Sequence, residues 1–354
     1  MASLDRLAVV LFNLGGPDGP AAVEPFLFNL FSDPAIIRLP GPLRWLIAKI
    51  ISRQRAPVAR QIYAHLGGGS PLLANTEAQA RALQTVLADA AKEVRVFIAM
   101  RYWHPFSAET AKAVTEFAPD RILLLPLYPQ YSTTTAASSA AAWREAAVSR
   151  GLKAPSQLIC CYPAEPGFIE ALVQLTESAL VEAARRAPGA KVRLIFTAHG
   201  LPVKIVKAGD PYVEHVSATC EGVMARLQAE PEEWVLGFQS RVGPVEWIGP
   251  STEELIAEAA KENRAIVVLP VAFVSEHSET LVELDIDYRK LAEARGAPAF
   301  IRVPAVATHP AFIAGLERIV RQALRDGRPV VSFGSCPAES RGCPCRACSR
   351  GAQA

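Results

Sequence analysis

The stretch VAFVSEHSETLVELDIDY, residues 271–288, changes its hydrophobic period partway along. With AIVVLP (265–270) ahead of it, it opens as a buried strand reaching Phe273. It turns through the small polar residues at 275–278 and continues at helical spacing. A strand feeding a helix in this way is the repeating unit of a parallel α/β sheet. On that helix Glu279, Glu283 and Asp287 fall at i, i+4 and i+8 and line one face. Like charges so placed disfavour a helix by roughly 0.3 kcal/mol per pair. Two readings stay open: a solvated acidic face, or a carboxylate track that passes a cation or protons, with His277 at its head. His277 also reads as an ordinary turn residue.

The same unit repeats outward from this stretch. Apolar runs at 7–12, 94–100, 121–127, 158–162, 192–198, 234–239 and 300–303 are expected strands. Helical spacing marks 75–92, 168–186, 210–228, 252–262 and 310–326, and Ser251 stands at an N-cap position. Alternation of this kind predicts an α/β fold, with parallel sheets flanked by helices. ILLLPLYPQYS (122–132) is echoed by IVVLPVAFVS (266–275), which suggests two similar halves joined near residues 166–177.

A chain of 354 residues, half of them hydrophobic, suits two domains of ordinary size. Its formal charge of +2 argues against bulk nucleic-acid binding. The opening residues lead into the first strand without a signal-peptide pattern, and no uncharged apolar run reaches spanning length, so a cytoplasmic location is expected. FLFNLFSDPAIIRLPGPLRWLIAKII (26–51) is apolar although Pro34, Pro40 and Pro42 interrupt it. It reads equally as core and as an exposed lip that touches a membrane surface or admits an apolar ligand.

Ligands of doubly wound sheets bind beyond the carboxyl ends of the strands. NLGG, RYWHP, LYPQYS, TAHG, QSRVGP and FVSEH all lie at such ends. Their aromatics, mixed with a few polar groups, suit a large flat ligand. NLGGPD is no dinucleotide fingerprint, since the third glycine is missing. The glycines of YAHLGGGSPL (63–72) suit an anion or flat ligand against backbone amides, or simply a flexible loop. The hydroxyls at 132–135 read as a helix cap or an anion site. His199, ending a strand opposite an acidic helix, reads as proton acceptor or metal ligand, or as structural.

LFNLGGPD (11–18), YAHLGGGSPL (63–72), MRYWHP (100–105), LYPQYSTTT (127–135), TAHGLP (197–202), FQSRVGPVEWIGP (238–250) and FVSEHSETLVELDIDY (273–288) occur in this order. Together they make the chain resemble the ferrochelatases, which insert ferrous iron into a porphyrin to make haem. The resemblance runs from about residue 7 to about 325 and implies two Rossmann-like domains. These would be 1–170, carrying the pocket lip, and 171–326, carrying the metal-insertion residues, followed by a cysteine-rich tail at 327–354. It implies His199 and Glu279 as the metal-binding and proton-accepting pair, with Glu283 and Asp287 continuing the route. It implies ring packing by Leu14, Tyr63, Trp247 and Phe273, and propionate binding by Arg55, Ser70 and Ser240. Arg101 and Tyr102 match a pair near the pocket centre, His277 joins the substrate-binding set, and 26–51 matches a lip that takes an insoluble substrate at a membrane surface.

Three positions depart from the familiar pattern. Glu276 stands where aspartate is usual, Gly200 where some members have serine, and Leu14 where others have methionine or tyrosine. Tyrosine there goes with coproporphyrin, so leucine favours protoporphyrin IX. Rival readings are a coproporphyrin enzyme, a chelatase of the same fold acting on cobalt or nickel, and a porphyrin or haem carrier without turnover.

Cys336, Cys343, Cys345 and Cys348 crowd the tail, Cys160 and Cys161 are adjacent, and Cys220 is isolated and expected to be a buried thiol. Clustered cysteines in a cytosolic chain point to metal rather than disulfides. Four local thiolates suit tetrahedral zinc. Cluster-bearing ferrochelatases instead use three tail cysteines and one remote one. The resemblance thus implies a [2Fe-2S] cluster on Cys336, Cys343 and Cys345, completed by Cys161, with Cys160 as the alternative. Such members also form homodimers, although no stretch here marks an interface.

Overall fold

The computed structural model describes residues 4–229, 231–241, 245–334 and 342–345. The chain forms two compact units, one reaching up to Cys161 and including Leu316–Phe333, the other Tyr162–Gly315. The division falls after Cys161, earlier than the expected 170. Helix α6 (Pro166–Arg186) packs against strands of the second unit, and its whole length belongs to it. The last helix, α11 (Pro310–Asp326), crosses the division, and the chain beyond it rejoins the first unit.

The first unit is organised on β1 (Arg6–Asn13), whose residues Leu7 to Phe12 are wholly buried. An unbroken apolar run is the signature of a parallel strand covered on both faces. The sheet runs in the order β2 (Glu93–Met100), β1, β3 (Arg121–Pro126), β4 (Ser156–Ile159) and β9 (Val330–Val331), all parallel. Ala8, Val10 and Phe12 pack with Trp143 of α5 (Ala136–Ser149) and Val114 and Phe117 of α4 (Ser107–Phe117). Each large side chain so buried contributes about 1.5–3 kcal/mol. β9 lies within the region read as tail.

Between β1 and β2 come α1 (Val23–Phe31), α2 (Gly41–Ala64) and α3 (Leu72–Val86). The prolines at 34 and 40 separate α1 from α2, and Pro42 opens α2, where a missing N–H costs nothing. Part of 26–51 is core and part is exposed. Phe26 and Leu27 of α1 pack with Val23, Ala56, Tyr63 and Tyr102. On α2, Leu43, Trp45, Leu46 and Ile50 stay exposed, Trp45 by 57 %. No helix among the described residues is long and apolar enough to cross a membrane.

The second unit holds a parallel sheet in the order β6 (Glu233–Gln239), β5 (Val192–His199), β7 (Ala265–Pro270) and β8 (Phe300–Arg302). Its helices are α6, α7 (Val203–Lys207), α8 (Tyr212–Met224), α9 (Thr252–Lys261) and α10 (Tyr288–Ala294). Ile195, Ile266 and Val268 pack with Leu255, Ile256 and Ala259 of α9. Ser251 caps α9 as expected: its Oγ accepts from Glu254 N at 3.1 Å, and its own N–H donates to Glu254 Oε2 at 2.8 Å.

Two expectations for residues 271–288 are corrected. Strand β7 ends at Pro270, not at Phe273. The segment Glu279–Asp287 is a π-helix rather than an α-helix, closed where Tyr288 N–H donates to Glu283 O, five residues back. Such ladders are rare beyond a single turn and gather at functional sites.

Candidate active site

In the second unit the strand ends converge as the parallel register requires. His199 closes β5 and pairs across the ladder with Gln239, which closes β6 beside Ser240. The π-helix brings Glu279 to the imidazole, whose Nδ1 lies 2.8 Å from Glu279 Oε2. A carboxylate accepts only, so Nδ1 carries the proton and Nε2 is left for chemistry.

Ser240 joins the two acids. Its Oγ donates to Glu283 Oε2 at 2.6 Å and lies 3.3 Å from Glu279 Oε2, while its N–H donates to Glu283 Oε1 at 2.9 Å. The backbone there is left-handed, φ 60°, a conformation that costs a non-glycine residue free energy and marks functional sites. Tyr288 OH donates to Glu283 Oε1 at 3.0 Å. Asp287 follows at the exposed end of the row. The acids at i, i+4 and i+8 thus run from the half-buried Glu279, through Glu283, to solvent.

Their charges are set unequally. Burial alone would raise the Glu279 pKa, but the charge and hydrogen bond of His199, then His277 and Ser240, bring it down to about 2. Burial alone would lower the His199 pKa, but the charge and hydrogen bond of Glu279, with Glu283, outweigh it and raise it. The His199 side chain keeps 41 % of its surface open, so solvent moderates that effect. Burial and then the neighbouring charge of Glu279 raise Glu283. His277, 8 % exposed, is pushed down by burial. It sits over Phe273, ring centroids 4.7 Å apart, and its backbone is held by Thr280 Oγ1. Trp247 pairs with Pro202 in an antiparallel bridge and packs on Gly200. A Cβ at Gly200 would stand 3.0 Å from Gln239 O and 3.3 Å from the Trp247 ring, a close fit that a larger residue would meet only if a neighbour shifted by a few tenths of an ångström.

In the first unit the expected residues also cluster. Leu14 packs with Tyr63 and Tyr102 in the α1–α2 cluster. A Cβ at Gly16 would reach within 2.5 Å of Ser70 Cβ, so the NLGG turn and the glycine loop touch only because position 16 is bare. Arg55 is exposed, 6.0 Å from the Phe31 ring centre. Arg101 and Tyr102 both bind Asp33, a residue not singled out from the sequence. Asp33 Oδ2 takes Arg101 Nη2 at 2.8 Å, Tyr102 OH at 2.8 Å and Ser138 Oγ at 2.5 Å. Arg101 Nε also donates to Ser138 Oγ at 2.6 Å. Burial, and then the Asp33 charge, push the Tyr102 phenol well above its ordinary pKa.

The sulfurs of Cys160, Cys343 and Cys345 lie within 4.8 Å of one another. Cys160, rather than the expected Cys161, joins this group. Successive residues leaving a strand point to opposite sides, and the Cys161 sulfur lies 3.2 Å from Ser332 Oγ instead. Cys160 and Cys343 are buried, and three such thiols fit a soft metal centre of iron–sulfur or zinc type. Cys336 and Cys348 lie outside the described residues.

A family model described as Ferrochelatase matches residues 6–324. Curated ferrochelatases of Caulobacter vibrioides and Phenylobacterium zucineum are each 50 % identical, the alignment covering 96 % of this chain and 98 % of theirs. The ferrochelatase of Hyphomonas neptunium is 51 % identical, covering 96 % and 94 %. Among solved structures, SirB from Bacillus subtilis with Fe³⁺ aligns at TM-score 0.52 and 12 % identity, covering 92 % of this chain and 98 % of SirB. At that identity the likeness shows the chelatase fold alone.

Proposed function

The chain belongs to the ferrochelatase family, and from this premise we propose that it inserts Fe²⁺ into protoporphyrin IX, releasing two protons and forming haem as the last step of haem biosynthesis. The observation that carries the reading is the 2.8 Å contact between His199 Nδ1 and Glu279 Oε2. It fixes the tautomer that leaves Nε2 able to ligate iron or to take a pyrrole proton. Histidine and carboxylate are adequate but not tenacious ligands for Fe²⁺, so the ion can be handed on. Glu283 and Asp287 then carry protons or iron along the row. Ring packing is assigned to Leu14, Tyr63, Trp247 and Phe273, with His277 in the substrate-binding set, Arg101 and Tyr102 near the ring centre and Arg55 and Ser70 toward the propionates. Ser240, assigned to a propionate by resemblance, has its hydroxyl on Glu283.

Steady-state insertion assays with protoporphyrin IX and coproporphyrin side by side test the substrate. Protoporphyrin is expected to have the higher kcat/KM, in keeping with Leu14, and the reverse order would reject it. Since the raised His199 pKa keeps the imidazole protonated to higher pH, and the proton must leave before Nε2 can act, kcat/KM should fall as pH drops through a value above the ordinary imidazole range. Glu283→Gln removes part of the cause, so this limb should move to lower pH; an unmoved limb would detach His199 from it.

We further propose that Cys160, Cys343 and Cys345, with Cys336, hold a [2Fe-2S] cluster that ties the tail to the body. Purified protein should then absorb in the visible and contain iron and acid-labile sulfide; a colourless, zinc-containing protein would reject the cluster. The exposed apolar residues of α2, with Arg44, Lys49, Arg53 and Arg60 and no acid on the helix, are proposed to rest on an anionic membrane surface. Flotation with anionic but not neutral vesicles is the expected result. Cytoplasmic residence and homodimer formation are part of the same proposal, by resemblance to the family.

A further inference from the structure

A second set of charges holds the catalytic segment from β8. Arg302 ends that strand, in register with Val268, and its side chain is 10 % exposed. Its Nη1 donates to Glu276 Oε1 at 2.8 Å, and the same oxygen accepts Ala305 N–H at 3.0 Å. Its Nε stands 3.4 Å from Asp285 Oδ2. Asp285 is also paired with Arg289, whose Nη1 donates to Phe300 O at 2.9 Å. Glu276 immediately precedes His277, and Asp285 lies two residues beyond Glu283. One guanidinium therefore brackets the whole run from His277 to Glu283.

The segment is held along its length by Ser240 and Tyr288 on Glu283 and by Thr280 on His277, while Arg302 holds it from both flanks. Its N-cap, Ser278, makes no side-chain cap hydrogen bond. A ladder closing five residues back is rare and gathers at functional sites, and here charged contacts flank it on both sides. The grip falls on two carboxylates that flank Glu279 in the chain, and Glu279 must meet His199, which stands on strand β5.

Resting on the reading above, we propose that Arg302 is a positioning residue for metal insertion. By tying Glu276 and Asp285 to the end of β8, it sets where Glu279 stands against His199. It touches neither porphyrin nor iron in this role. A misplacement of the order of 1 Å costs up to about 100-fold in rate, so loss of the clamp should be read in turnover. Lysine at 302 keeps the charge and reaches one carboxylate, but it has no planar fork to span two.

The test uses the full-length protein and compares wild type, Arg302→Met, Arg302→Lys and the pair Arg302→Met/Glu276→Gln. Insertion of Zn²⁺ into a soluble porphyrin is followed at steady state, with amide hydrogen exchange across Glu279–Asp287 measured in parallel. Arg302→Met should lower kcat about 10- to 100-fold with the porphyrin KM nearly unchanged, and should speed exchange in the π-helix. Arg302→Lys should recover part of the rate. The double variant should be no slower than the single one, because both remove the same contact. Unchanged exchange would overturn the proposal, and so would faster exchange with kcat retained, since that describes a merely structural residue. If Arg302→Met fails to fold, Arg302→Lys and Glu276→Gln carry the same comparison. Absence of insertion by the wild type would reject the functional reading itself, and exchange would still decide whether Arg302 holds the segment.

Discussion

His199→Ala is expected to remove metal insertion while porphyrin still binds. Its kcat should fall by about 10²–10⁴-fold, the usual contribution of a positioned acid–base group. The effect should lie in kcat and in the metal KM, not in the porphyrin KM, because the ring-packing residues are untouched. The fold should survive, since the His199 side chain is 41 % exposed and its loss opens no sealed cavity. Porphyrin fluorescence quenching and a thermal melt, run beside the insertion assay, separate these cases. Turnover near the wild-type value would end the assignment of His199. Glu279→Gln should be severely impaired as well, since an amide cannot hold the imidazole by charge.

Asp33→Ala is expected to have the largest effect on stability. The Asp33 side chain is 2 % exposed and receives Arg101, Tyr102 and Ser138 on a single oxygen. Its removal strands a guanidinium and two hydroxyls that were chosen to face it. Breaking a buried pair from one side costs about 3–5 kcal/mol; the 22 % exposure of Arg101 argues for the lower end. Denaturant midpoints at unchanged slope would read this as a stability loss. Asp33→Asn should keep part of it, because an amide oxygen still accepts. A loss below about 1 kcal/mol would show that water replaces the carboxylate without penalty. Asp33 follows α1 closely, so its loss should also loosen the apolar segment that precedes α2.

The strands were legible because parallel strands buried on both faces leave unbroken apolar runs, as at Leu7 to Phe12. His199 and Glu279 were legible as chemistry-bearing residue types at strand ends, and the structure brings them together. The π-helix was not, because apolar residues three and four apart, Leu281 with Leu284 and Val282 with Ile286, fit an α-helix and a slightly wider one nearly equally well. The helices α1 and α2 were obscured by three prolines, although a proline at the first turn is compatible with a helix start. Asp33 was invisible for another reason. Before a proline it reads as a turn residue, and its partners Tyr102 and Ser138 are 69 and 105 residues away in the chain. Adjacent Cys160 and Cys161 differ only in which way each sulfur points, which depends on strand phase and not on residue type.

The two-residue strand β9 has a practical consequence. Val330 and Val331 pair with Leu158 and Ile159, so β4 is an interior strand only while that short stretch is present. A truncation ending before residue 329 would bare a row of amides and carbonyls beside apolar side chains, the template on which edge-to-edge aggregation begins. Fusions and purification handles at the carboxyl end should therefore leave residues 329–333 in place, and an insoluble product from a shorter version would reflect an uncovered sheet margin rather than a failed core.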